Sequence, residues 1–229
     1  MKIIKFDTID STNLYLKNKI KNNDINLPVC IQSDIQTKGK GRHNRKWISD
    51  KGGLYFSIGK KIKKSEEVLL SPLKTAVILH KFLKEKFNIN NLLVKWPNDI
   101  YYKNSKLAGI LPNGIIGEKN NYVVIGIGIN VNNETKINNT CNLKNILNQN
   151  INIDRLLINF MKFYEKEKSI ESDKTIDYIN QNLYGKDKLK KLKIKGKSIK
   201  GVIKKVNYDY SLNIKIKNKE KNIEIGEIL

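Results

Sequence analysis

Apolar positions recur every second residue in some segments and every third or fourth residue in others, which predicts strands and helices in mixed order. Residues 2–6 and 28–33 have the composition of short strands, and residues 52–59 (GGLYFSIG) follow as a third. Between the first two strands, the segment Asp10-Ser11-Thr12-Asn13 supplies helix-capping side chains before apolar residues at helical spacing. A strand, a turn and a helix are therefore expected to open the fold.

The centre of the chain predicts one long helix and a group of short core strands. Residues 71–87 start with Ser71 at the expected N-cap and Pro72 at the first helical position, followed by apolar residues three and four apart. After an Asn-rich connection, residues 154–168 and 172–183 also have helical patterns. Four short apolar segments between these helices read as core strands: LLVKW, DIYY, LAGIL and YVVIGIGINV. The pattern predicts an α+β fold in which a mixed β-sheet is flanked by helices.

The C-terminal part of the chain changes character. From Leu189 onward apolar and polar residues alternate, and turn signals at KGK, YDYS and KNKEK divide the segment into four or five short antiparallel strands. We expect these strands to form a small β-barrel. The predicted organisation is a main domain at 1–185 and a second domain at 186–229.

Composition limits the class of protein. The chain has 229 residues, of which 39% are hydrophobic and 29% charged, and no apolar run approaches the roughly 20 residues that cross a bilayer. The first ten residues contain Asp7 and no long apolar stretch, so we expect neither a secretory signal nor a membrane protein. The predicted location is cytoplasmic. Cys30 and Cys141 lack metal-ligand spacing and are expected to be free thiols.

The formal net charge of +22 raises the alternative of a nonenzymatic nucleic-acid-binding protein. Lysine, however, is spread along the whole chain, whereas arginine occurs only at Arg42, Arg45 and Arg155. Two of these three fall in one basic segment, QTKGKGRHNRKW at 36–47. Lysine cannot reproduce a planar guanidinium that binds a carboxylate or phosphate through two hydrogen bonds, so this segment is a candidate anion-binding loop.

Four segments together resemble the biotin protein ligase family: DSTN (10–13), GKGRHNRKW (39–47), KWPNDIYYKNSKLAGIL (95–111) and GIGINVN (126–132). The resemblance continues to the C-terminal GEI. It implies a catalytic domain similar to class II aminoacyl-tRNA synthetases and a C-terminal SH3-like barrel. The implied activity joins biotin to ATP as biotinoyl-5'-AMP and then transfers biotin to a lysine of a biotin carboxyl carrier protein. Biotin and ATP would be substrates, with Mg²⁺ carried by the ATP.

The implied reaction explains the cationic residues. A carboxylate must attack the α-phosphorus of ATP, so the site must hold two anions together. We assign Arg42 to the carboxylate and phosphate because of its fork geometry, and Lys106 to the α-phosphate and the forming anhydride. These two are the predicted catalytic residues. Gly39 and Gly41 would let the backbone approach the ligand and adopt positive φ where needed, and the loop would act as a mobile lid.

The resemblance also implies the ligand-binding residues. For biotin they are Ser11, Thr12, Asn13, Gln36, Gly39, Lys40, Gly41, Arg42 and Lys106. For the nucleotide they are Arg42, Arg45, Trp47, Asn98, Lys106 and Asn130. Asp99 either orients Lys106 or assists the magnesium ion, and no separate metal site is predicted.

The resemblance also implies binding partners for the protein, and the chain departs from the family pattern at a few positions. The carrier would be the biotinyl domain of a carboxylase such as acetyl-CoA carboxylase, and a homodimer through sheet edges is possible by resemblance. Because the chain reaches DSTN by residue 10, the helix-turn-helix DNA-binding domain of some members is not expected. A lipoate or octanoate ligase of the same fold stays open as the nearest alternative. The chain departs from the usual family pattern at Lys40, Asn44, Pro112 and Asn113.

Overall fold

The structure is a computed structural model that describes residues 1–118, 120–135, 137–194, 196–217 and 219–229. Its helices are α1 (Thr12–Lys21), α2 (Glu67–Phe87), α3 (Leu143–Leu147), α4 (Ile153–Glu167) and α5 (Ser172–Gln181). The strands of a first sheet are β1 (Lys2–Ile9), β2 (Val29–Gln36), β3 (Leu54–Ile62), β4 (Leu92–Lys95), β5 (Asp99–Tyr102), β6 (Ser105–Ile116) and β7 (Asn121–Ile129). Those of a second sheet are β8 (Leu189–Ile194), β9 (Lys197–Val206), β10 (Leu212–Ile216), β11 (Lys219–Ile223) and β12 (Glu227–Ile228).

The first sheet is mixed and has helices on both faces, as the sequence predicts. Its strand order is β1-β2-β3-β7-β6-β5-β4, with β1 and β2 parallel and the other neighbours antiparallel. Because side chains alternate along a strand, Val29 and Ile31 face α1, whereas Cys30 joins the larger core on the side of α2 and α4. The sheet therefore separates two apolar layers. The α1 face is the one that carries the site described below.

The second sheet is antiparallel, in the order β11-β10-β9-β8-β12. Its buried residues Leu192, Ile203 and Ile214 belong to the same apolar core as α2. A hydrogen bond from Trp96 Nε1 to the carbonyl of Tyr210, 3.0 Å long, also joins the two sheets. The antiparallel strands expected after Leu189 are confirmed. Closure of this sheet into an SH3-like barrel, and the division of the chain at 185/186, stay predictions.

Two local expectations fail for identifiable reasons. Helix α2 begins at Glu67 and not at Ser71, because the backbone hydrogen bonds of the preceding turn continue directly into the helix. The Glu67 carboxylate holds that turn by accepting the amides of Lys63 and Lys64 at 2.9 and 3.0 Å. Ser71 instead donates its hydroxyl to the Glu67 carbonyl inside the helix. The short helix α3 lies in the Asn-rich connection, where the Asn142 side chain caps it. No helix in the described ranges is long and apolar enough to span a membrane.

Candidate active site

A groove crosses the α1 face of the first sheet where the strands carry small residues. Gly126 of β7 is paired with Ser57 of β3 and with Leu111 of β6, and two residues further along Gly128 is paired with Gly109 of β6. Alternate residues of a strand share a face, so residues 126, 128 and 130 of this segment follow one wall for roughly 13 Å. Together with the N-terminus of α1 and the basic loop, these residues enclose a cavity of about 290 Å³.

The cavity brings together residues that are far apart in sequence. Twelve of the thirteen ligand-binding residues expected from the sequence line it: Ser11, Thr12, Asn13, Gln36, Lys40, Gly41, Arg42, Arg45, Trp47, Asn98, Lys106 and Asn130. Gly39 does not line it. A Cβ atom on Gly39 would clash with the carbonyl oxygen of Trp47 and the hydroxyl of Ser49, so this glycine permits a close approach within the loop itself.

One end of the cavity is a chain of buried and partly buried hydrogen bonds. The amide and hydroxyl of Thr12 both donate to Gln36 Oε1, at 2.9 and 3.1 Å. Gln36 Nε2 donates to Ser49 Oγ at 2.8 Å, and Ser57 Oγ lies 2.8 Å from Thr12 Oγ1. Ser11 caps α1 by accepting the amide of Leu14, which leaves its hydroxyl proton for another acceptor. These bonds occupy the Gln36 carbonyl and leave one amide hydrogen for a ligand.

Asn13 is fixed beside this polar end. Its Nδ2 donates to the Leu111 carbonyl at 3.2 Å, and Asn113 Nδ2 donates to its Oδ1 at 2.7 Å. A Cβ atom on Gly126 would lie 2.8 Å from Asn13 Nδ2, so the glycine makes room for the carboxamide. Asn113, which departs from the family pattern, thus holds a predicted ligand-binding residue. Pro112 does not interrupt β6, where it pairs with Ile125.

The basic loop folds back on itself instead of lacking packing partners. Lys40 and Lys46 form a β-bridge, the Gly41 amide donates to the Arg45 carbonyl at 2.7 Å, and a short 3-10 turn spans Arg42–Asn44. The positive φ in this loop belongs to His43, at 54°, and to neither of the two glycines expected to adopt it. The loop conformation brings both arginines against other parts of the molecule.

The two arginines differ in their partners. Arg42 donates to Asn98 Oδ1 at 3.2 Å and to the Gly226 carbonyl at 3.5 Å, and burial lowers the pKa of its guanidinium. Arg45 forms an ion pair with Glu227, and this hydrogen-bonded contact raises the pKa of Arg45. The charge of Arg45 is therefore neutralised by the C-terminal strand, whereas Arg42 has only neutral hydrogen-bond partners. Both contacts join the loop to the segment around β12.

Trp47 lies on a floor of two glycines. Cβ atoms on Gly109 and Gly128 would lie 3.0 Å from Cζ3 and 2.5 Å from Cε2 of its indole, respectively. The indole Nε1 is buried and has no hydrogen-bond partner among the described residues. The ring thus covers the middle of the cavity, between the polar end near Thr12 and the cationic end near Lys106.

Lys106 is held from two directions. Its ammonium lies 2.7 Å from Asp99 Oδ2 and 5.2 Å from the centroid of the Trp47 ring. Its backbone amide donates to Asn139, and its carbonyl accepts from Cys141, which fixes the strand at this point. Of the two roles left open for Asp99, the geometry supports the orientation of Lys106. The other oxygen of Asp99 is buried without a partner in the described part of the chain.

The two nucleotide-binding asparagines expected from the sequence are both buried and both engaged. Asn98 donates to the Ile110 carbonyl and accepts from Arg42, so its carboxamide positions the guanidinium. Asn130 accepts a hydrogen bond from Asn133 at 3.3 Å. Within the described ranges no group of three or more His, Cys, Asp or Glu residues is arranged to hold a metal ion.

Sequence reasoning missed four charged residues of the cavity wall: Lys46, Lys95, Glu134 and Glu227. Lys95 is the first residue of KWPND and Glu227 is the acid of the C-terminal GEI, so both lie in segments that carry the family resemblance. Lys95 is 9% exposed, and its ammonium donates to the Tyr101 hydroxyl at 2.9 Å. The position of Lys95 in the KWPND motif could have indicated a place in the site, but membership of a motif does not by itself indicate that a side chain is buried.

Comparison with known proteins finds similar sequences and a matching fold. A biotin protein ligase of Aquifex aeolicus, solved in complex with biotin and ATP, superposes with a TM-score of 0.83 at 24% identity, covering 100% of this chain and 97% of that one. A bifunctional ligase/repressor of Escherichia coli K12 is 37% identical over 130 residues, which are 54% of this chain and 38% of that protein. Biotin–protein ligase 2 of Arabidopsis thaliana is 33% identical over 111 residues, 46% of this chain and 33% of that protein.

The similarity to the solved ligase establishes the fold over the whole chain. The chain spans little more than a third of the length of these two curated relatives. Residues 5–130, more than half of the chain and including most of the cavity wall, match one family description. The chain belongs to the biotin/lipoate A/B protein ligase family.

Proposed function

We propose that this protein is a biotin–protein ligase, which forms biotinoyl-5'-AMP from biotin and ATP and transfers biotin to a lysine of a carrier protein. The observation that carries the proposal is the meeting of Arg42 and Lys106 in one cavity whose other end is a partly buried hydrogen-bond chain around Thr12 and Gln36. A ligand with a polar ring at one end and a carboxylate at the other matches this distribution of polar and charged groups.

The polar end favours biotin over lipoate. The family description includes both kinds of ligand, so membership alone does not choose between them. Ser11 and Asn13 are buried and Gln36 is partly buried at the polar end of the cavity, and a ureido ring offers both donors and acceptors to such groups. The dithiolane ring of lipoate would leave the Ser11 hydroxyl proton and the second amide hydrogen of Gln36 without a partner, which costs roughly 1–3 kcal/mol for each buried group. The cavity should therefore bind biotin, which has a ureido ring, in preference to lipoate.

The chemistry proceeds in two steps. A carboxylate oxygen of biotin attacks the α-phosphorus of ATP, a P–O bond forms, the bond to the bridging oxygen breaks, and pyrophosphate leaves. Arg42 and Lys106 would stabilise the negative charge that gathers on the reacting groups. The carrier lysine amine then attacks the acyl carbon, and AMP leaves. Magnesium enters with ATP as part of that substrate.

The loop has a protective role in this scheme. An acyl adenylate is sensitive to water, so the intermediate must be shielded until the carrier arrives. The ion pair between Arg45 and Glu227 and the indole of Trp47 close the cavity on the side of the loop. The loop would therefore open to admit substrates and close over the adenylate.

The proposed carrier is the biotinyl domain of a biotin-dependent carboxylase. The net charge of +22 would accelerate its encounter with an acidic carrier surface. A cytoplasmic location, a separate C-terminal domain at 186–229 and a homodimer stay predictions from the sequence and its resemblance.

The test is ATP–pyrophosphate exchange with purified protein. Exchange that depends on biotin, followed by biotinylation of an added carrier domain, is the expected result. Exchange with lipoate or octanoate and not with biotin would show that the protein is a lipoate or octanoate ligase of the same family instead. Absence of exchange with all three acids, together with salt-sensitive binding of duplex DNA, would favour the nucleic-acid-binding alternative instead.

A further inference from the structure

Lys95 is a buried cation that forms no ion pair with any carboxylate in the described part of the chain. It lies at the end of β4 with 9% of its surface exposed, and its ammonium sits 4.3 Å from the centroid of the Tyr101 ring and 5.5 Å from that of Tyr184. No carboxylate of the described residues lies within 4 Å of its nitrogen. Burying a charge without a partner opposes folding, so the position calls for a functional explanation.

Two other cations of the cavity have carboxylate partners of a kind that Lys95 lacks among the described residues. Lys106 is paired with Asp99 at 2.7 Å, and Arg45 is paired with Glu227. Lys95 has the Tyr101 hydroxyl and two aromatic faces, which stabilise an ammonium but do not neutralise it. An anion that enters the cavity would therefore gain more from Lys95 than from the two cations already neutralised.

The strand register places Lys95 on the same row as the cavity floor. Lys95 is paired with Asp99, Asp99 with Gly109, and Gly109 with Gly128. Since neighbouring strands lie about 4.8 Å apart, Lys95 is roughly 10 Å to one side of Gly109, with Lys106 between the floor and this lysine. A group leaving the site of Lys106 toward β4 would meet the Lys95 ammonium.

We propose that Lys95 binds the β- and γ-phosphate oxygens of ATP and holds the departing pyrophosphate. This inference rests on the proposed function, in which Arg42 and Lys106 act at the α-phosphate. It assigns Lys95, which forms no ion pair with a described carboxylate, to the part of the nucleotide that carries the most negative charge and that leaves in the first step. The second step, which involves only AMP and the carrier, would not use Lys95.

The experiment compares Lys95→Met with Lys190→Met. Lys190 is a matched control because its ammonium also lies against Tyr184, 4.5 Å from the ring centroid, yet it does not line the cavity. For Lys95→Met we expect kcat/KM for ATP to fall by about 10- to 100-fold. The inhibition constant of inorganic pyrophosphate should rise by about the same factor. Transfer of biotin from supplied biotinoyl-5'-AMP to a carrier domain should change less than about twofold. Lys190→Met should match the wild type in all three.

Each contrary result has a distinct meaning. Unchanged ATP and pyrophosphate parameters would overturn the proposal, and an equal loss in transfer from the supplied adenylate would make Lys95 a structural residue. If Lys95→Met does not fold, Lys95→Gln, which retains a hydrogen-bonding group near Tyr101, is measured in the same way. Calorimetric binding of inorganic pyrophosphate to wild type and variant requires no biotin. It therefore tests the anion site even if biotin-dependent exchange fails and the proposed function falls.

Discussion

Gly128 of β7 lies directly opposite Gly109 of β6, and the indole of Trp47 rests on both. A side chain at either position would occupy the space of the ring. The pair therefore acts as the floor of the cavity, and the sheet contributes only backbone at this point. The indole nitrogen, buried without a partner in the described part of the chain, indicates a ring placed by packing and not by hydrogen bonding.

Gly128→Ala should block the cavity. The new Cβ would lie 2.5 Å from Cε2 and 2.6 Å from Nε1 of Trp47, so the ring must move toward the ligand space. Overpacking of about 1–3 kcal/mol predicts a KM for biotin raised roughly tenfold or more. Steady-state biotinylation measures this, with Gly117→Ala at an exposed turn outside the cavity as the control. An unchanged KM for biotin would show that the floor does not need a glycine there.

Lys106→Ala should remove the first step and also weaken the fold. Loss of the ammonium would reduce biotin-dependent pyrophosphate exchange by about 100-fold or more. It would also leave Asp99 without its cation, so the thermal midpoint should fall. Adding Asp99→Asn should restore the midpoint but not the exchange. Recovery of exchange in the double variant would remove Lys106 from the chemistry.

Local signals in the sequence were enough to predict much of the fold. Capping at Ser11 and the alternation along β2 and β7 follow from short-range chemistry, and the structure contains both. The predicted start of α2 was wrong because the helix begins without a side-chain cap, inside a run of charged residues where the Glu67 carboxylate holds the preceding turn. Boundaries of this kind depend on which of several competing side chains reaches the backbone.

The contacts that assemble the site were harder to predict because they join distant parts of the chain. Arg45 and Glu227 are 182 residues apart, and no local pattern links them. Lys95 is hidden for a different reason. In a chain with 44 lysines and arginines, one more lysine carries no information until burial distinguishes it. The resemblance located the motifs, but the pairing order of the strands determines which of their side chains share a face.

Arg42→Gly should release the reactive intermediate. The guanidinium joins the loop to Asn98 and to the Gly226 carbonyl, so its loss would loosen the loop and the adenylate together. We expect the bound biotinoyl-5'-AMP to have a shorter lifetime. We also expect lysines of an unrelated bystander protein to become biotinylated, which a streptavidin blot detects.

The control for that prediction is Arg155→Gly. Arg155 is exposed on α4 and does not line the cavity, so its loss should leave the bystander protein unlabelled. An adenylate that Arg42→Gly retains as long as the wild type does would contradict a clamping role for Arg42.

The buried ammonium of Lys95 should make the free energy of unfolding depend on pH, and a substitution of Lys95 should remove that dependence. Burial lowers the pKa of Lys95 from 10.5 to about 8. The charged groups that act on it come from several elements: Asp99 on β5, Lys106 on β6, Lys190 on β8 and Glu227 on β12. Burial raises the pKa of the adjacent Tyr101 in the folded protein, and because the wild type and the variant both carry this tyrosine, its titration in the unfolded chain is common to both.

The direction of the pH dependence follows from the protons that Lys95 binds in the folded and unfolded chain. Between pH 8 and pH 10.5 the unfolded chain holds a proton on Lys95 that the folded chain has released, so stability attributable to this residue rises with pH. Below pH 8 the full cost of the buried ammonium is present. Lys95→Met should therefore be more stable than the wild type at pH 7, and the difference should shrink toward pH 10.5. Urea unfolding of both proteins at several pH values measures this, with Lys190→Met in parallel to correct for the loss of one lysine. A constant difference across the range would mean that the Lys95 ammonium is not desolvated in the folded protein.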